Sequence, residues 1–442
     1  MKQLLQSPNA KMVAAIGGLG GFLLGYNTAV ISGVLLVLTE AFGLNTARQA
    51  NLVSILLLGA LLGAVAAGFV ADKFGRKKTL FMTMGIYVVG SLLMLVSHAY
   101  WLFSLGRFVT GIAVGLGAFS IPLYVAEISP PKIRGLLVSI NQLCVALGIF
   151  FAYLLNFIFD VNLNFRFVFA FSCLFAVIEM ALVFFLPESP SWLLAMTKRK
   201  EARVIIRQVR PDEDADKVIA QIEKHLMNAS KDYFMKKIIV PSVIAGLVLS
   251  FMQQITGFNA MIYFAPTILQ QSGFFLIANA TEAAVAIGFI YVLATVASLF
   301  LVDKVGRKPL LYYGLSGMGV ALLLLALANL FKVTFISAVT VIGLMIFVAS
   351  FALSLGPVVW LLIAEIFPMA VRGKVMALCV FVNFLTNYIV SASFLALFQK
   401  ASPAICFFVF LVFVLGSLYY VWRHVPETKH KTLEDIEKFW KK

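Results

Sequence analysis

The sequence predicts an all-α integral membrane protein. Twelve transmembrane helices form two six-helix bundles, with short cytoplasmic helices between them. Three observations carry that prediction. The 442 residues are 62% hydrophobic and 12% charged, about half the charged fraction of an ordinary soluble domain. Apolar runs long enough to cross a bilayer recur along the chain. Short motifs of the first half also return, in the same order, in the second. This composition excludes a water-exposed globule, a disordered chain and a secreted disulfide scaffold.

The first predicted helix, 12–36, follows a short arm carrying Lys2 and Lys11. No small-residue cleavage site accompanies it, so no removable signal peptide is expected. Helices at 50–71, 79–97, 101–126, 136–158 and 167–186 complete a first bundle, residues 1–186. The segment 187–236 is polar. From Lys198 to Lys231 it has no Gly and one Pro, Pro211, which suits a few short surface helices. Helices at 238–271, 283–302, 309–331, 336–364, 374–398 and 404–422 form the second bundle, residues 237–422, and 423–442 is a tail. Cys144, Cys173, Cys379 and Cys406 all fall in apolar stretches without metal-ligand spacing and read as packing residues.

The balance of 35 Lys and Arg against 20 Asp and Glu gives a formal charge of +15. In a soluble chain that excess points to nucleic acid; here its placement reports topology. The arms, the linker and alternate loops hold the cations, among them Lys73, Arg76, Lys77 and Lys78, then Lys132 and Arg134. In the second half they are Lys304, Arg307 and Lys308, then Arg372 and Lys374. The opposite loops hold Arg48, Arg166, Lys332 and Lys400. The positive-inside rule therefore places both termini in the cytoplasm. Minimal loops and a short tail lean towards a bacterial inner membrane.

The internal repeat has four landmarks at nearly constant offset. Asp72-Lys-Phe-Gly-Arg-Lys77 matches Asp303-Lys-Val-Gly-Arg-Lys308, and Glu127…Arg134-Gly matches Glu365…Arg372-Gly. Pro187-Glu188-Ser matches Pro426-Glu427-Thr, and Gly25-Tyr-Asn27 echoes Gly257-Phe-Asn259. Six spans per copy is an even number, so the copies share one orientation. An axis along the membrane normal then relates them, with a substrate site between.

Together with Gly106-Arg107…Gly111, Pro187-Glu188-Ser-Pro-Ser-Trp192 and Gln253-Gln254-x-x-Gly257-x-Asn259, these motifs resemble those of sugar porters of the major facilitator superfamily. That family includes the human glucose transporters and bacterial xylose and galactose transporters. The likeness covers essentially the whole chain. It implies the major facilitator fold and alternating-access transport of a monosaccharide, hexose or pentose. It implies no enzyme activity, cofactor or metal. Beyond substrate and lipid bilayer, no nucleic acid and no obligate protein partner is expected.

A sugar site needs neutral side chains that both donate and accept, because amides avoid the desolvation cost of a charge. Gln142, Gln253, Gln254, Asn259, Asn383 and Asn387 are such amides in apolar helices, with Asn383 and Asn387 on one helix face. The resemblance makes all but Asn387 direct sugar contacts; amides that bridge helices are the other reading. Trp360, one turn past an expected break at Gly356-Pro357, resembles the family's cavity-floor tryptophan, and an interfacial-belt residue is the alternative. Tyr263 matches an outer-gate tyrosine, or is a plain core aromatic. Phe384, Tyr291 and Leu24 depart from the family, which leaves the identity of the sugar open.

Asp72, Arg76, Glu127, Arg134, Asp303, Arg307, Glu365 and Arg372 cluster at helix ends on the cytoplasmic side. The resemblance makes them a cytoplasmic gate between bundles; solvated loop charge is the plain alternative. Asn27 stands where proton-coupled porters carry an aspartate facing the arginine matched by Arg107. An amide does not exchange a proton in the accessible pH range, so facilitative uniport is expected. Symport through another acid is the alternative. Glu179 in the sixth helix is the acid to weigh, either as a coupling site, as a protonated group, or as one reaching the interface. A non-transporting sugar sensor needs a signalling extension that a short tail does not supply. His98, His225, His424 and His430 form no metal-ligand cluster, and no nucleophile–base pair is visible.

Overall fold

In the computed structural model the described residues are 8–129, 131–159, 165–209, 213–229, 239–274, 276–367, 369–429 and 431. Within them the side chains of 8–14, 131–139, 225–229, 239–240, 277–278, 303, 364 and 369–374 are outside the description. Arg134, Asp303 and Arg372 fall in that group. Among the described residues the regular structure is helical, without strands.

The first half comprises α1 (Pro8–Ala29), α2 (Ile31–Phe42), α3 (Thr46–Phe74), α4 (Arg76–Leu95), α5 (Tyr100–Ile128), α6 (Pro131–Ile158) and α7 (Arg166–Phe184). Three short helices follow: α8 (Pro190–Ala195), α9 (Arg199–Val209) and α10 (Ala215–Ala229). The second half comprises α11 (Ile239–Ile255), α12 (Phe258–Tyr263), α13 (Ala265–Gln271), α14 (Ile277–Val305), α15 (Arg307–Leu330), α16 (Ile336–Leu353), α17 (Leu355–Ile366), α18 (Met369–Ala396) and α19 (Pro403–His424). A π turn, Leu397–Ala401, extends α18.

Among the described residues, twelve helical spans are long and apolar enough to cross a membrane. Their outward faces carry bare apolar side chains such as Phe69, Phe184, Phe300 and Val412, as a lipid-facing surface requires. The first span runs to Phe42, six residues beyond the expected end, because α2 continues the path of α1 after a single turn residue, Val30. The tenth span breaks at Ser354 rather than at Gly356-Pro357. Gly356 and Pro357 instead sit in the first turn of α17, where a proline's missing N–H costs nothing. In α8–α10, Leu193, Leu194, Ala202, Ile206, Val218 and Ile219 bury one another in a small satellite core.

Within the first half α3 packs on α5, α1 on α6, and α4 on both α5 and α7. Within the second, α15 packs on α16 and α19, and α11 on α18. Two long seams join the halves, α3 against α18 and α6 against α14. At the end remote from the termini, α2 also touches α12, α13 and α14, and Thr46 donates a hydrogen bond to Gln399 at 2.7 Å. The Tyr153 hydroxyl of α6 donates to the Ile262 carbonyl of α12 at 2.7 Å, with the tyrosine 1% exposed.

That last bond carries a test. Tyr153→Phe leaves the Ile262 carbonyl unpaired in a buried seam, which costs about 1–3 kcal/mol. Scanning fluorimetry in detergent is expected to show a lowered Tm with the helical signal unchanged.

Candidate functional site

The centre of the second half is a network of amides. Gly257 makes it possible: at φ +87 it occupies the left-handed region, ends α11 and lets α12 restart at a new angle. The break turns Asn259 back towards Gln254, whose side-chain oxygen accepts from the Asn259 amide at 2.7 Å. Gln254 donates to the Asn383 side chain at 3.0 Å, and Asn383 donates to Gln253 at 2.8 Å and to the Ser250 carbonyl at 3.2 Å. Gln253 donates in turn to the Leu355 carbonyl at 2.9 Å, just past the break in the tenth span. One turn along α18, Asn387 donates to the Tyr263 hydroxyl at 3.0 Å and accepts from Ser391 at 3.1 Å.

Six of the eight residues expected around the sugar therefore form one zone: Gln253, Gln254, Asn259, Asn383, Asn387 and Tyr263. Gln253, Gln254, Asn383 and Asn387 are buried, and Asn259 is half-buried. Trp360 is half-buried against the same core. Gln142 lies on α6 of the other half, beside the Tyr291 phenol on α14, and the amide bonds described above do not include it. Such a set suits a neutral polyol: each amide offers a donor and an acceptor, and bonding between amides keeps them satisfied when no ligand is present.

In the first half, Arg107 is 1% exposed. Its guanidinium donates to the Asn27 main-chain carbonyl at 3.0 Å and to the Leu52 carbonyl at 3.3 Å. The Asn27 side chain is engaged elsewhere: it donates to the Leu23 carbonyl at 3.0 Å and accepts from Ser172 at 2.8 Å. Ser91 completes the chain by donating to Ser172 at 3.0 Å. No sequence pattern points to Ser91 and Ser172, since single serines in apolar helices are common and satisfy themselves locally.

Glu179 is fully buried, so it does not reach the interface. Among the described residues neither of its carboxylate oxygens has a hydrogen-bond partner. Gly20 of α1 lies against it.

The ionic residues form two matching clusters, one per half. Gly75 and Gly306 turn between helices at φ +92 and +105, a conformation that excludes a side chain. In the first cluster Glu188 accepts from the Arg76 and Lys77 backbone N–H groups at 2.9 and 3.1 Å. Arg76 pairs with Glu127 at 3.0 Å and with the exposed Asp72 at 3.1 Å, and Ser189 donates to Glu127. In the second, Glu427 accepts from the Arg307 and Lys308 N–H groups at 3.1 and 2.9 Å. Arg307 pairs with Glu365 at 3.0 Å, and Thr428 donates to Glu365 at 2.5 Å. Each described pair joins residues of one half. Burial raises the Glu427 carboxyl, but the backbone N–H groups of Lys429, Lys308, Arg307 and Thr428 outweigh it and hold the group below the ordinary carboxylate range. Glu188 and Glu427 were visible in the sequence only as a duplicated motif; their place at the helix N-termini needed the fold.

The sugar (and other) transporter family matches residues 13–440. The chain belongs to the sugar porters of the major facilitator superfamily. A D-xylose transporter of Levilactobacillus brevis is 34% identical over 432 residues, covering 95% of this chain and 93% of that protein. The glucose transporter GlcP of Staphylococcus epidermidis is 32% identical over 435 residues, covering 97% of each. Among solved structures, the partially occluded inward-open form of XylE, a proton:xylose symporter of E. coli, superposes with a TM-score of 0.86. The identity is 28%, covering 97% of this chain and 100% of XylE. This protein is therefore a multi-pass membrane sugar transporter.

Two outcomes follow from these clusters. Asn383→Ala cuts three hydrogen bonds of the amide network at once, and is expected to raise KM for sugar uptake at least about ten-fold with surface expression retained. Glu427 has a folded-state pKa below its unfolded one, so its stabilisation is complete above the ordinary carboxylate range and is lost as pH falls through the lowered value. Glu427→Gln should lower Tm at neutral pH and leave a shallower acid limb in a Tm-versus-pH series.

Proposed function

We propose that this transporter is a facilitative monosaccharide uniporter. It alternates access between the two sides of the membrane, with both termini and the α8–α10 segment in the cytoplasm and a bacterial inner membrane as its setting. The sugar binds between the halves, held by Gln142 from the first and by Gln253, Gln254, Asn259, Asn383 and Asn387 from the second. Trp360 forms the apolar floor and Tyr263 the outer gate. Binding exchanges amide–amide bonds for amide–hydroxyl bonds, so the energy barely changes while the two halves gain a shared ligand. The two ionic clusters stiffen the cytoplasmic rims, and the rims meet when the inside closes. Residues 1–186 and 237–422 then rock as two bundles about the joining segment 187–236.

One observation carries the passive reading. The Asn27 side chain bonds to Ser172 and to the Leu23 carbonyl, and Arg107 is satisfied by carbonyls. None of these partners takes up or releases a proton in the working range. Proton symport is the second reading. It is favoured by the unpartnered carboxylate of Glu179 and by the coupled cycle of XylE.

Proteoliposomes separate the two. With an imposed inward proton gradient, sugar is expected to equilibrate with the outside concentration, and the gradient is expected to leave initial rates unchanged. Accumulation above that level would overturn uniport; its loss in Glu179→Gln would then assign the coupling to that acid.

A further inference from the structure

The outer rim, at the end remote from the termini, holds a cleft of about 160 Å³ that both halves line. Thr39 and Glu40 of α2 and Gln49 of α3 come from the first half, and Thr267 and Gln270 of α13 from the second. Gln399 completes the lining from the π turn that extends α18. Such single π turns gather at functional sites. Directly beside the cleft, Gln399 accepts the hydrogen bond from Thr46 that ties the two halves together.

The hydrogen-bonding capacity of this lining is mixed and only partly used. Thr46 occupies the Gln399 side-chain oxygen, so the amide nitrogen remains to donate. The Thr39 hydroxyl and the Gln49 amide donate to the Leu35 and Leu44 carbonyls at 2.7 and 3.1 Å, so their own oxygens remain to accept. Thr267 is 5% exposed, and its hydroxyl has no partner among the described residues, an unfavourable condition that a ligand relieves. Glu40 adds a carboxylate, whose two oxygens can accept from adjacent hydroxyls. A metal cation needs acceptors alone, and Glu40 repels an anion. Donors and acceptors side by side, with no cationic side chain in the lining, fit the vicinal hydroxyls of a neutral polyol. The volume lies below the ~300 Å³ at which sites for drug-sized ligands begin, which limits that polyol to one monosaccharide.

We propose that this cleft is a second monosaccharide site, separate from the amide zone, and that sugar bound there holds the outer rim closed. Its two banks belong to different halves, so the site is complete only when their outer ends meet. A ligand that binds one conformation better shifts the population towards it. External sugar at high concentration therefore inhibits its own uptake. The inference rests on the sugar-transport and topology readings above.

Initial uptake of D-xylose and of D-glucose is measured in right-side-out membrane vesicles over a wide range of external sugar, with osmolarity balanced by KCl. For whichever sugar is carried, the rate is expected to rise, pass a maximum and then fall at least about two-fold. Glu40→Gln should keep the rate at low sugar and raise the inhibiting concentration about ten-fold. Adding Gln270→Ala to it should abolish the fall, so that uptake saturates. Asn383→Ala should raise KM and leave the inhibiting concentration where it was. Inside-out vesicles, which present the other mouth to the sugar, should saturate simply. Glu40 is exposed, so its exchange for Gln leaves the fold in place, and the rate at low sugar reports this. Simple saturation of the wild type in right-side-out vesicles overturns the rim site and leaves sugar transport standing. So does a fall that is unshifted in Glu40→Gln, that moves with KM in Asn383→Ala, or that is equal in inside-out vesicles. Absence of uptake of any aldose or ketose, with the protein correctly inserted, overturns both readings.

Discussion

Every hydrogen-bonding group that this chain carries into the hydrocarbon must find its partner within the protein, because lipid supplies none. That constraint shapes each polar feature of the interior. Gln253 takes a carbonyl just past the break at Ser354, and Arg107 takes two carbonyls near the turn at Val30. The Gln254–Asn383–Gln253 chain satisfies itself. The breaks in the first, seventh and tenth spans are tolerable only because such side chains and neighbouring helices cover the carbonyls that they free. They also provide the backbone angles at which a transporter can hold a polar solute in mid-membrane.

The same constraint explains the division between charge and neutrality. Paired ions stand at the rims, where Arg76 and Glu127 or Arg307 and Glu365 keep partial contact with water. Fully exposed pairs add about 0–1 kcal/mol each, but these are largely shielded, with side chains 11–26% exposed. Their geometry is fixed more firmly by the carboxylates of Glu188 and Glu427, which sit on the first N–H groups of α4 and α15. In the interior the polar side chains that gather are neutral amides bonded to one another. Glu179 stands against this pattern as an acid without a described partner, and it is held there by the packing of α7 against α1 and α4.

The sequence disclosed the fold well because its signals are long. Apolar runs and loop charges depend on composition over twenty residues or more, which local exceptions do not erase. The position of the tenth-span break was harder to read: Gly356-Pro357 is the stronger breaker by residue type, yet proline fits the first turn of a helix and the break moved to Ser354. In the candidate site, the adjacent Gln253 and Gln254 and the spacing of Asn383 and Asn387 marked the amide zone in advance. Its wiring was not legible, since the links from Gln254 to Asn383 and from Asn387 to Tyr263 span more than a hundred residues. Ser172 was missed for the same reason. Its significance lies in facing Asn27 across the bundle, and no local pattern announces a partner so distant.

The Gly-aromatic-Asn triplet of residues 25–27 and its echo at 257–259 show how a duplicated gene can divide its labour. In one copy the glycine lies within α1, and the asparagine is turned inward to Ser172. In the other the glycine itself breaks the helix, and the asparagine joins the amides. A small difference in where the chain bends thus separates two inherited copies of one motif. A substitution at Gly25 would therefore strain a continuous helix, whereas one at Gly257 would strain the break that brings Asn259 to Gln254.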